Sequence, residues 1–158
     1  MEEQQEKKKG SSRNKTAGSN WERLIAKKLR ELGFNDIKCS RECSRLRDSK
    51  KVDLCNADED KNGRFPFNIQ AKSYNTHVKY AKLLKELEDH NGRNQVNVVF
   101  HKLTEKSIGG KFMPKGEFAI LNLDDFYKII AQLKVCEELL EDSGCEAEVF
   151  TDYQIFKK

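Results

Sequence analysis

Apolar residues first fall into step at Trp21, Leu24, Ile25, Leu29 and Leu32, with Gly33 just beyond them. That spacing predicts a helix from about Ser19, closed by the glycine. "NDIKCS" then reads as a short strand, and the polar, basic "RECSRLRDSK" as a loop or bent arm. "KVDLC" and "FPFNIQAKS" read as two strands of a hairpin, separated by the turn-rich "NADEDKNGR". In "HVKYAKLLKELEDH" the helical period returns through Val78, Ala81, Leu84 and Leu87, and "QVNVVF" and "GEFAIL" are further strands. A last helix is expected over 123–141, with Phe126, Ile129, Ile130, Leu133 and Leu140 inward and Asp124 and Asp125 in its first turn, where they suit the helix dipole. The order α-β-β-β-α-β-β-α implies an α/β fold with a mixed sheet flanked by helices. No internal repeat is present.

Residues 1–17 are Glu, Gln, Lys, Ser and Gly without apolar periodicity, so they are expected to form a flexible basic tail ahead of a single domain over 18–158. A chain of 158 residues suits one core better than two. Net charge is +4, too small to require a polyanionic partner, but the cations are clustered. Lys7, Lys8, Lys9, Arg13 and Lys15 lie in the tail, and Arg41, Arg45, Arg47, Lys50 and Lys51 crowd before "VDL". Such runs fit a solvated tail and loop or contact with nucleic acid. Five cysteines without a CxxC pair argue against a disulfide framework, and no nearby histidine completes Cys39, Cys43 and Cys55 as a zinc site. His77, His90 and His101 show no metal-ligand spacing and are expected at the surface or at helix ends. The N-terminus lacks an apolar leader region, and no stretch is long and apolar enough to cross a bilayer. An intracellular, soluble protein with no membrane partner is expected.

Strand alternation concentrates the chemistry. In "FPFNIQAKS" the apolar Phe65, Phe67, Ile69 and Ala71 share one face, while Asn68, Gln70 and Lys72 share the other. The same rule turns Val52 and Leu54 inward and Asp53 outward, so the register that joins the apolar faces sets Asp53 beside Gln70 and Lys72. A carboxylate and an amide oxygen are hard ligands for Mg2+, and a lysine can hold a water or offset negative charge, a set suited to phosphodiester hydrolysis. Glu22 is the candidate second carboxylate. "SNWE" also has the form of a capping box, in which Glu22 would serve only the backbone of Ser19. Asp53 and Lys72 could instead form an ordinary surface ion pair, and Gln70 could be a solvated strand residue.

Taken in order, "GSNWERLIAKKLRELGF", "SRECSRLRDSKKVDL" and "FNIQAKS" resemble the first helix, the Arg and Ser loop with its aspartate, and the glutamate-x-lysine strand of the PD-(D/E)XK nuclease superfamily, most closely the archaeal and phage-type Holliday junction resolvases. The resemblance covers roughly Lys15 to Tyr74 by motif and the remainder by element order alone. It implies a restriction-endonuclease-like sheet and a Mg2+-dependent endodeoxyribonuclease acting on branched DNA, with Mn2+ as a substitute. Asp53, the Gln70 side-chain oxygen and the Ala71 carbonyl would hold the metal, with Glu22 acting directly or through water and Lys72 positioning the nucleophile. Arg41 and Ser44 match loop positions near the scissile phosphate. Lys15, Arg45, Lys50 and Lys51 are candidate backbone contacts by charge alone. A homodimer, acting in the cytoplasm or, if phage-encoded, in the host cell, follows from the same resemblance. One departure is plain: the motif glutamate is Gln70 here, which leaves one negative charge fewer. Another nuclease of the superfamily, or a catalytically silent DNA-binding relative, stands as the alternative.

Overall fold

The structure is a computed structural model that describes residues 3–43, 51–56, 65–75, 78–91 and 95–142. Two compact units divide the chain, Met1–Asn122 and Leu123–Lys158, where the sequence suggested one domain over 18–158.

The first unit contains α1 (Glu3–Glu31), β1 (Ile37–Cys39), α2 (Ser40–Cys43), β2 (Leu54–Asn56), β3 (Phe67–Tyr74), α3 (Tyr80–Asn91), β4 (Val96–Lys106) and β5 (Phe112–Leu121). Its five described strands form one sheet in sequence order. β1 and β2, β2 and β3, and β4 and β5 pair antiparallel, whereas β3 and β4 run parallel with α3 as the crossover between them. The architecture is therefore α/β with a mixed, helix-flanked sheet.

Each helix buries a stripe against the sheet. Trp21, Ile25, Ala26 and Leu29 of α1 join Ile37, Leu54, Phe65, Ile69, Ala71 and Val98 in one cluster. Leu84 and Leu87 of α3 join Val52 and Val99 in a second, with Tyr80 and Ile120 packed against it. Consecutive residues of β4 enter opposite clusters, so both sheet faces are covered. This is why "VNVVF" reads as a nearly continuous apolar run and not as an alternating one.

α1 begins at Glu3, well before the Ser19 start expected from periodicity. Lys, Glu and Gln have good intrinsic helix propensity, which the apolar pattern does not register. The far end is as expected: Gly33, at φ 98°, donates to the Arg30 carbonyl, and Phe34 donates to that of Leu29, which is a Schellman closure. Strands β4 and β5 extend beyond the expected "QVNVVF" and "GEFAIL" into a long hairpin with an irregularity between Leu103 and Thr104. The second unit contains α4 (Leu123–Asp142), close to the expected span. Its stripe is not inward, however: Phe126, Ile130 and Leu133 are exposed and Ile129 is half-buried, with the Leu140 side chain outside the described residues. No described helix is long and apolar enough to cross a membrane.

Candidate active site between β2, β3 and the first helix

The polar row of β3 is not an open floor. Asn68 is buried, Gln70 is only 3% exposed and Lys72 is half-buried, because α3 covers that side of the sheet. Buried amides demand partners. Asn68 Nδ2 donates to Asn97 Oδ1 at 2.9 Å across the parallel pair. Gln70 Oε1 is buried and has no hydrogen-bond partner.

Asp53 reaches its place by a route that alternation did not anticipate. Lys51 adopts a left-handed φ of 62°, and regular β2 begins only at Leu54, opposite Ile69. Val52 and Leu54 consequently enter different core clusters instead of sharing one face. The Asp53 backbone still extends the pairing, donating to the Ile69 carbonyl at 2.8 Å and accepting from Ser40 at 2.9 Å. Its carboxylate Oδ2 accepts the Ala71 N–H at 2.7 Å, which fixes it over the middle of β3.

Electrostatics place other segments within reach of this carboxylate. Burial is the largest influence and pushes the Asp53 carboxyl up from 3.8 to about 6. The Lys72 ammonium and the Ala71 N–H oppose that rise, Glu22 adds to it, and Arg41 opposes it. Glu22, 8% exposed on α1, is ion-paired at 2.5 Å with Arg41 of α2, whose guanidinium also reaches Ser19 Oγ at 3.3 Å. Ser19 and Glu22 both lie inside α1, so they do not form the capping box that their spacing allowed.

No protein-family model, curated protein or solved structure matches the chain. A functional reading therefore rests on the geometry and chemistry of the chain's own residues.

Asp53 feels charges from α1, α2 and β3, and it holds Ala71 directly. Lys15 and Lys51 are exposed, and Ser44, Arg45 and Lys50 lie outside the described residues. Among the described residues no group of three or more His, Cys, Asp or Glu side chains could hold a metal. The candidate donors include only two carboxylates, so a cation here would also need the Gln70 amide and the Ala71 carbonyl. The orphaned Gln70 Oε1 fits that requirement: it is a buried hard oxygen with no protein donor to satisfy it. Cys39, Cys43, Cys55 and Cys136 are free thiols, and burial pushes the Cys39 thiol up, away from reactivity.

His101 departs from expectation. His90 stands exposed at the end of α3 and His77 lies outside the described residues, but His101 is buried on β4, with Nδ1 2.7 Å from Tyr80 Oη. Continuing the alternation of Asn97 and Val99 by one more step would have found it. Ending the strand at Phe100 concealed it.

Proposed function

We propose that the protein is a divalent-metal-dependent endodeoxyribonuclease of the PD-(D/E)XK type that cuts branched DNA, with the Holliday junction as its leading substrate and a two-fold dimer as the acting form. The observation that supports the reading is a buried Asp53 carboxylate that accepts the Ala71 N–H and responds to the charges of Lys72, Glu22 and Arg41, with the partnerless amide oxygen of Gln70 on the adjoining residue of β3. In support, the described order α-β-α-β-β-α-β-β-α carries a mixed sheet with helices packed on it, the α/β class that the motifs imply.

When bound, a divalent cation would polarise a phosphoryl oxygen and acidify a water. The chain supplies the rest. Asp53, Gln70 Oε1, the Ala71 carbonyl and Glu22 are the oxygen donors. Lys72 holds the attacking water or offsets the charge that grows on the phosphoryl group. Arg41, once released from Glu22, offers a planar donor fork to a phosphate.

A second reading, DNA binding without cleavage, is favoured by Gln70 and by the hold of Arg41 on Glu22. Incubation with Mg2+ or Mn2+ and a panel of four-way junction, flap, linear duplex and single-stranded DNA separates the two. Cleavage of junctions that Asp53→Ala and Lys72→Ala abolish is expected. Junction binding without cleavage, unchanged in Asp53→Ala, would establish the silent reading instead. Preferred cutting of linear duplex would point to a different nuclease of the superfamily.

A further inference from the structure

Lys72 and His101 stand opposite each other in the parallel register of β3 and β4, and cross-strand partners share a sheet face. His101 is 2% exposed, and its ring is fixed at one nitrogen only: Nδ1 lies 2.7 Å from Tyr80 Oη, while Nε2 is buried without a hydrogen-bond partner. The partner on the other side, on β5, is Phe118, and the same-face neighbours along β4 are Val99 and Leu103. Of the two strand partners directly opposite His101, Lys72 is the polar one, and Gln70 is the next residue on the same face of β3.

The tautomer decides what Nε2 can do. If Tyr80 donates to Nδ1, then Nε2 carries a proton and sets an N–H against an ammonium, which is itself donor-only. If Nδ1–H donates to Tyr80 Oη, then Nε2 presents a lone pair, the group that complements the cation opposite. We propose that His101 is a positioning residue for Lys72. Held by Tyr80 as the Nδ1–H tautomer, it accepts at Nε2 a hydrogen bond relayed from the Lys72 ammonium through one bridging water. Asp53 attracts the same ammonium from the β2 side. Lys72 is thereby oriented from the His101 side and drawn electrostatically towards Asp53, with N–H groups left for a water or a phosphate oxygen. The catalytic consequence rests on the proposed nuclease reading, whereas the hydrogen bond does not.

The experiment is two-bond 1H–15N correlation on the full chain labelled at histidine, with a catalytic arm beside it. In the wild type His101 is expected as the Nδ1–H tautomer, and Lys72→Met is expected to move its Nε2 resonance while leaving Nδ1 in place. An Nε2–H tautomer, or an Nε2 resonance indifferent to Lys72→Met, overturns the proposal. It would assign Nε2 to another acceptor, such as Gln70 Oε1. For cleavage, His101→Leu is expected to lower kcat on the order of 10- to 100-fold with junction affinity unchanged. His101→Gln, whose amide oxygen can take the place of Nε2, is expected to restore most of that loss, with near-ultraviolet circular dichroism confirming that both variants are folded. Equal loss in folded Leu and Gln variants would also overturn it. A wild type that cuts nothing would refute the nuclease reading, and the resonance arm would still decide the hydrogen bond.

Discussion

Replacing Asp53 by Asn should make the metal-free protein more stable at neutral and alkaline pH. Burial holds the Asp53 carboxyl at about 6 in the folded chain against 3.8 for an unperturbed aspartate. That gap corresponds to a ceiling of about 3 kcal/mol between the two protonation states. Partial exposure and solvent screening reduce it to about 1–2 kcal/mol. Asparagine keeps an oxygen for the Ala71 N–H and removes the charge. The sign follows from linkage. Below 3.8 both folded and unfolded chains hold the proton and the wild type suffers no penalty. Between 3.8 and about 6 the unfolded chain ionises first, so wild-type stability falls as pH rises, and above about 6 the whole deficit is present. Thermal melts of both proteins in a chelator, from about pH 3.5 to 8, read this directly. The Asn variant should melt higher by roughly 3–6 °C at about pH 8, with the difference closing on acidification. A folded variant that melts at or below the wild type at high pH, or a difference that does not change with pH, would refute the assignment of burial as the dominant influence on this carboxyl.

Gln70→Glu should tighten Mn2+ binding in isothermal titration, because a second formal charge joins Asp53 beside the orphaned position; weaker binding would remove Gln70 from the donor set. Arg41→Ala should free Glu22 and raise Mn2+ affinity while weakening junction binding, so the two titrations should move in opposite directions. Asn97→Ala should leave Asn68 Nδ2 buried without its acceptor and lower stability by about 1–3 kcal/mol in urea melts. Leu87→Ala, at a fully buried position of α3, should lower stability by about 2–5 kcal/mol without changing metal affinity.

Much of the architecture was legible because the apolar periods were clean. α4 and the packed half of α1 followed from helical spacing, and β3 followed from the alternation of Phe67, Ile69 and Ala71. Period cannot reveal helix without a buried face, which is why the early start of α1 was missed. Alternation also fails where the backbone leaves the extended region, as at Lys51, so Val52 and Asp53 were assigned sides by a rule that did not apply to them. Alternation puts Asn68, Gln70 and Lys72 on one face, but one sequence does not say whether a sheet is covered once or twice. The parallel pairing of β3 with β4, which brings α3 over that face, is a long-range fact. The Arg41–Glu22 pair and the buried His101 likewise depend on contacts between segments distant in the chain.

The Asn68–Asn97 bond has one more consequence. Sliding β3 by one residue along β4 would exchange its two faces and is excluded by the core itself. A slide by two residues keeps every apolar side chain on its proper side, so hydrophobicity alone cannot forbid it. The amide pair can, since that displacement strands both groups in a dry interior. One polar couple, 2.9 Å long, thus serves as the indexing pin that sets which side chains of these two strands meet.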